Sequence, residues 1–452
     1  MKRSPTFSTL LAGLAAISWL AFAPLGSPGP AASPQAPAPQ TQSLLAAADD
    51  LLGEMSQTTS LPIRAPLKKQ VLSRAEIRKY LELSLHEEYT PQEIHLQESV
   101  LKAFGLVSRE FDLAKFLITF YTEQAAGAYD PRRKTLFIAD WPTEEMQKMV
   151  LAHELTHALE DQNFDLQKFL HAARANDDAT NARQAVVEGY AMAAMMQHLV
   201  EPVELASLPL LEPMMAGIIH QRLEEFPAFS NAPFFFRMQA LFPYAQGMGF
   251  MQRGLQRGGW RTLNSLFTHP PTTTKEIFEP AVYFDAKPLP TVSLPRPAAM
   301  AKVAGRRVLT ENTLGQLGYY ALLGQFISED EAKTVGTGWL ADRYILYEGP
   351  NANQFALAAR TRWTNSETAL AFFRDYHSIL AHKYPELAPD KRSATDLFVG
   401  AAANSQVILV RQGDECLWAE GVPAAETEAM LSFLKALVYT FAGQRPDSQN
   451  RR

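Results

Sequence analysis

The sequence predicts a helix-rich α+β protein in two folded parts, and three observations carry that prediction. Apolar residues recur at helical spacing through most of residues 44–120 and 144–261. Strand-like composition is confined to a short pair near residues 127–138 and to the last third of the chain. Pro288, Pro290, Pro295 and Pro297 crowd the segment between these zones and mark a boundary. With 452 residues, 47% of them apolar and 20% charged, the chain is long enough for two or three hydrophobic cores. A formal net charge of −6 and the lack of any arginine-rich run argue against a nucleic-acid partner.

The chain opens with Lys2 and Arg3, an uncharged apolar run from about Thr9 to Leu25, and then a Pro/Ala-rich stretch. Residues 1–25 are therefore expected to be an export signal or an uncleaved membrane anchor; Ala21-Phe22-Ala23 has the small-x-small form of a cleavage site, but Pro24 follows it. Residues 26–43 should form an extended linker without a core. The fold begins after it with helices, most clearly "SRAEIRKYLELSLHEEY" and "DLAKFLITFYTEQ". Residues 44–95 fit equally an integral part of the fold and a removable inhibitory segment. Gly127-Ala128-Tyr129 and Thr135-Leu136-Phe137-Ile138 flank the turn-like Asp130-Pro131-Arg132-Arg133-Lys134, which predicts a small antiparallel hairpin. A helix should follow from an N-cap at Thr143 to about Asp161, and a second over "DDATNARQAVVEGYAMAAMMQHLV", capped by Asp177 or Asp178. The Phe-rich stretch from Phe226 to Phe242 is expected to pack in the core. Thr273 and Glu276 have capping-box spacing and should start one more helix. The first folded part thus spans 44–285, a Pro-rich linker 286–301, an α+β module 302–444, and a disordered tail 445–452. The lone cysteine, Cys416, excludes an intramolecular disulfide and is expected to be a small buried apolar residue.

Within "VLAHELTHALEDQ", His153 and His157 stand four residues apart and share one face of a helix, so both imidazoles can meet a single ion without bending the backbone. Glu154 lies about 100° round the helix from His153. There it can take a proton from an activated water and pass it to a leaving amine. A catalytic zinc site needs a third protein ligand and an open fourth place. Glu188 is the best candidate, because it is the only charge in "AVVEGYAMAAMM" and a carboxylate in such company needs a cation or several donors. His171 and Asp161 are further candidates, but neither has an apolar setting. A helical wheel also places Glu188 near Asn181 and Gln184, so a solvated edge is the competing account. Gly189 should let this helix approach the motif helix closely.

The flanks of the HExxH motif resemble the extended zincin consensus. A third histidine six residues after the second would mark the metzincins, but Asn163 stands there. Two histidines with a glutamate from a following helix resemble the gluzincins, specifically over about residues 126–192. Met192 departs from that clan, which commonly has an acidic residue four after the glutamate ligand to orient the first histidine; Asp161, Asp178 or a backbone carbonyl must then do so. "GAYDP", "LFIAD", "FPYAQG", "HPPTTTKEI" and "GTGWLADRY" are similar to a poorly characterised set of exported bacterial proteins, themselves predicted zinc peptidases.

The resemblance implies a zincin-like metallopeptidase domain holding one zinc ion through His153, His157 and Glu188, with Glu154 as base. It implies a peptide or protein substrate, laid along an edge strand for which Ala126-Gly127-Ala128-Tyr129 is the candidate. Tyr190, His198, His220, Tyr244 and His269 could each donate to a developing oxyanion, and none stands out. The C-terminal module is expected to bind substrate or a partner protein. The chain is expected to be periplasmic or secreted, or tethered to the inner membrane by its N-terminus. The rival expectation is a cell-envelope binding or assembly protein with a non-catalytic zinc site.

Overall fold

The computed structural model describes residues 39–141, 144–301, 306–349, 354–402 and 405–442. The expected export segment, most of the 26–43 linker, the Thr143 cap and the 445–452 tail lie outside them. The chain is helix-rich α+β and divides into two compact units, Met1–His95 with Asp112–Lys287 and Leu96–Phe111 with Pro288–Arg452. The segment Leu96–Phe111 thus joins the C-terminal module rather than the 44–285 part assigned to it by sequence. The reason is apolar: Phe104 is fully buried with its ring edge-on to Tyr344 at 5.2 Å. No helix among the described residues is long and apolar enough to cross a membrane.

The first unit carries α1 (Pro39–Thr59), α2 (Arg74–Glu88), the start of α3 (Pro91–Phe104) and α4 (Leu113–Gln124). It continues with α5 (Glu144–Phe164), α6 (Leu166–His171), α7 (Asp177–Val200) and α8 (Glu212–Leu223). It ends with α9 (Pro227–Ser230), α10 (Phe234–Ser265), α11 (Thr274–Phe278) and α12 (Pro280–Phe284). Because α1 begins at Pro39, the last residues of the expected linker are helical. α1 packs on α5 and α7, so residues 44–95 are built into this unit. The expected hairpin is present as β2 (Gly127–Asp130) and β3 (Thr135–Ala139). Asp130 closes its turn, accepting from the Arg132 and Arg133 backbone N–H groups at 2.7 and 3.1 Å and pairing with the Arg133 guanidinium at 2.6 Å. The sheet is not purely antiparallel: β1 (Lys68–Leu72), which has no counterpart in the sequence expectations, pairs parallel with β3 to give the order β1-β3-β2.

The cap of α7 is Asn176, whose side chain accepts from the Ala179 N–H, and not Asp177 or Asp178. Asp178 instead accepts from Thr274 N and Oγ1 at 2.8 and 2.5 Å, tying α7 to the start of α11. α11 has the expected capping box at Thr273 and Glu276. The Phe-rich stretch is core: Phe235, Phe236 and Phe242 are buried, and Phe236 lies 4.4 Å from Phe116. Gly189 does allow a close approach, but to α10 rather than α5. A Cβ on Gly189 would stand 2.5 Å from the Gly247 carbonyl carbon, so the two helices meet backbone to backbone.

The second unit is built on a seven-stranded antiparallel sheet in the order β4-β5-β6-β10-β9-β8-β7. Its strands are β4 (Arg307–Asn312), β5 (Trp339–Glu348), β6 (Phe355–Trp363), β7 (Ala388–Pro389), β8 (Leu397–Ala402), β9 (Ser405–Gln412) and β10 (Glu415–Val422). Its helices are α13 (Ala298–Ala301), α14 (Gly315–Gly324), α15 (Glu329–Thr337), α16 (Ser366–Lys383) and α17 (Thr427–Ala442). Strand alternation sorts the two faces. Trp363 and Trp418 turn toward Phe372 and Tyr376 of α16, with centroids 4.5 Å apart for Trp363–Phe372 and for Tyr376–Trp418. Leu417 and Ala419 turn the other way, into a cluster with Ile408, Met430 and Leu434. Cys416 is fully buried, as expected of it, and burial pushes its thiol pKa up.

Candidate metal centre

Helix α5 is buried on every side near its middle, with no residue from Val150 to Asp161 more than 4% exposed. A helix so enclosed must satisfy each polar side chain internally. β2 lies directly on it: a Cβ on Gly127 would stand 2.5 Å from Val150 Cγ1 and 3.5 Å from Glu154 Cγ, so only glycine lets the strand come this near the Glu154 face.

The structure brings His153, His157 and Glu188 together. His153 Nε2 lies 3.0 Å from His157 Nε2 and 3.3 Å from Glu188 Oε2, and His157 Nε2 lies 3.4 Å from the same oxygen. A tetrahedral centre with ligand bonds of about 2.0–2.1 Å has edges of about 3.3–3.4 Å, so these separations fit one small cation. Among the described residues no other group of histidine, cysteine or acidic side chains converges in this way. The chemistry of the donors agrees: two imidazole nitrogens facing each other cannot both donate, and a carboxylate 1% exposed needs positive charge. Glu188 is not on a solvated edge.

The electrostatics pull the two histidines in opposite directions. Burial drives the His153 pKa down to about 4, leaving that ring neutral. Burial alone would lower His157 too, but the carboxylates of Glu160 and Glu188 outweigh it and raise its pKa. Burial pushes Glu188 up, and the two histidines more than offset this, holding it below the usual carboxylate range.

Two further residues shape the site, Glu160, which was not among the sequence candidates, and Tyr244, which was one of five candidate donors. Glu160, one turn along α5, holds His157 Nδ1 at 2.8 Å and fixes Nε2 as the atom turned toward Glu188; its own pKa is pushed up to about 7, chiefly by burial. Its position three after His157 was a usable signal. Tyr244 of α10 stacks obliquely on His153 with centroids 6.2 Å apart, and its buried hydroxyl has no hydrogen-bond partner among the described residues. Burial, then the charges of Glu188 and Glu154, raise its pKa, so it stays a donor. The other candidate donors lie elsewhere: Tyr190 donates to Asn264, while His198, His220 and His269 meet Glu54, Glu224 and Thr268.

Neither carboxylate considered for orienting His153 does so. Asp161 accepts from the Tyr129 hydroxyl at 2.7 Å and the Lys134 ammonium at 2.6 Å, Asp178 is occupied by Thr274, and His153 Nδ1 meets no acceptor among the described residues. His171 is partly exposed and faces Glu88, so it is no part of the centre.

A family model of the M78 peptidases, described as the IrrE N-terminal-like domain, matches residues 102–198. A second, described as Domain of unknown function (DUF8575), matches residues 304–431. No curated protein and no solved structure matches the chain. The first match covers β2, β3, α5 and nearly all of α7, and so takes in all three converging side chains. It supports a zincin-like metallopeptidase domain in this segment, and the buried His-His-Glu cluster is compatible with a metal such as zinc.

Proposed function

We propose that this chain is an exported zinc-dependent peptidase in which His153, His157 and Glu188 hold one zinc ion and Glu154 is the general base. The observation that carries the reading is the separation of the three ligand atoms, 3.0–3.4 Å, beside a glutamate on the same buried helix. Zinc, when bound, supplies Lewis acidity toward a peptide carbonyl and makes a neighbouring water more acidic. Glu154 takes a proton from that water and delivers it to the leaving amine. The Tyr244 hydroxyl donates to the oxygen on which negative charge develops. The outer edge of β2 aligns an extended substrate by backbone hydrogen bonds.

A second reading, a cell-envelope binding or assembly protein with a non-catalytic zinc site, is favoured by one observation. The void bordering His157 and Glu188 on the Tyr129 side holds only about 20 Å³, too little there for a substrate side chain. Against that reading, structural zinc sites are normally closed by four protein ligands, and the described residues offer three.

Digestion of an unbiased peptide library separates the two. Glu154→Gln should keep stoichiometric zinc while hydrolysis falls by at least about a hundredfold, because the change removes the base and no ligand. Equal hydrolysis by variant and wild type would end the peptidase reading. Export rests on the basic, apolar start of the sequence. A C-terminal reporter that works only outside the cytoplasm should be active, and a cytoplasmic signal would remove this part.

A further inference from the structure

The second unit contains a cleft of about 730 Å³, within the range of small-molecule sites. It lies where the C-terminal ends of α3 and α16 meet the start of β6 and the end of β10. Four cationic side chains line it, Lys102, Arg109, Arg306 and Lys383, against the single carboxylate of Glu420.

Two of those cations are already matched. Lys383 pairs with Glu420 at 2.5 Å, and Lys102 with Glu98 at 2.6 Å. Glu420 also accepts from the Tyr376 and Tyr384 hydroxyls at 2.7 and 2.9 Å. Arg109 and Arg306 form no ion pair among the described residues. Arg306 is half-buried, and among the described residues its guanidinium meets only the Met300 sulfur at 3.3 Å and the Gly421 carbonyl at 3.0 Å. Gly421 has φ +70, at the irregularity between Ala419 and Val422 where β10 loses register with β9. A Cβ there would stand 2.7 Å from the Phe355 carbonyl oxygen, so this backbone geometry requires glycine.

A half-buried guanidinium with neutral partners is electrostatically incomplete, and its planar fork suits a carboxylate or phosphate. Val107, Phe326, Phe355 and Leu357 give the same cleft an apolar lining. We propose that this cleft binds an organic anion with an apolar body, its head on Arg306 and Arg109 and its body against those four side chains. A carboxylate is the simplest such head, and it can come from a fatty acid or from the free C-terminus of a peptide.

Titration calorimetry on the full zinc-loaded chain tests this, using dodecanoate and N-acetyl-Leu-Phe beside the neutral amide of each. At least one acid should bind about tenfold or more tightly than its amide, since hydrogen bonds to charged groups carry the difference. Arg306→Gln and Arg109→Gln should each weaken that acid about fivefold or more and leave its amide unaffected. Arg109 is exposed, so its variant keeps the test alive if Arg306→Gln does not fold. Binding of dodecanoate alone assigns the site to fatty acids, and binding of the peptide acid alone assigns it to C-termini. Equal binding of acids and amides, no response to either arginine variant, or no saturable binding of any probe below about 5 mM, a ΔG near the millimolar limit, overturns the proposal.

Discussion

The two units each bury a cluster of charges, and they balance it in opposite ways. In the second unit Arg360 donates from Nε and Nη2 to Glu415 at 3.2 and 2.7 Å, and Lys383 meets Glu420; every buried acid in these pairs has a protein cation beside it. In the first unit Glu154 and Glu160 of α5 and Glu188 of α7 are all buried near two histidines, and among the described residues Glu160 and Glu188 form no ion pair with a lysine or arginine. The second arrangement is complete as protein. The first is short of positive charge, which a divalent ion corrects. A structural ion pair and this candidate metal site therefore differ less in burial than in whether the chain supplies its own counter-charge.

The largest effect should come from deepening the imbalance at the ligand shell. Glu188→Ala leaves two neutral imidazoles and should weaken zinc binding by orders of magnitude, roughly a thousandfold or more, whereas His171→Ala should change it little. Metal content after dialysis against a weak chelator reads this directly. Stoichiometric zinc in Glu188→Ala, with loss in His171→Ala or Asp161→Ala, would show that the third ligand lies in the last turn of the motif helix or just after it. Next, creating in the second unit the imbalance that is native to the first should be costly: Arg360→Ala strands Glu415 and should remove about 3–5 kcal/mol of stability. Urea denaturation should show most of that recovered in Arg360→Met with Glu415→Leu; if the double variant is as unstable as the single, charge balance is not what this pair provides. The smallest effect tests the hydrogen bond behind the ligand. Glu160→Gln should lower zinc affinity by about 10–100-fold, roughly 1.4–2.7 kcal/mol, by weakening the hold on His157 Nδ1. Unchanged competition against a chromophoric chelator would mean that packing alone orients that ring.

What the sequence made legible was local and periodic. The helix spacing of His153 and His157 needs no tertiary knowledge, and Glu188 stood out because its neighbours along the chain are apolar. The parts that were missed depend on what meets what. β1 is five residues with two lysines, and it becomes a strand by pairing with β3 more than sixty residues on, a contact no short window contains. Gly189 announced a close approach without saying to which helix. Asn176, Asp177 and Asp178 are all good caps, and propensity cannot rank three in a row. Glu160 was not among the candidates because the helix was expected to end near Asp161, whereas it runs on to Phe164 with Glu160 itself fully buried. Segment Leu96–Phe111 looked continuous with the helices around it, and long-range contacts such as that of Phe104 with Tyr344 assign it to the other unit.

The backbone contact between Gly189 and Gly247 has a further consequence. Glu188 precedes the first glycine by one residue and Tyr244 precedes the second by three, so this carboxylate and this phenol hang from the two halves of a joint with no side chain in it. Side chains absorb small displacements by changing rotamer; two apposed backbones have no such slack. The helices should therefore breathe as one body, with slow amide exchange shared across residues 185–189 and 244–247 in a single cooperative opening. A methyl group placed at this joint would act as a wedge, spreading carboxylate from phenol while altering neither. Selection on the geometry of the centre can thus operate at a position that touches nothing reactive.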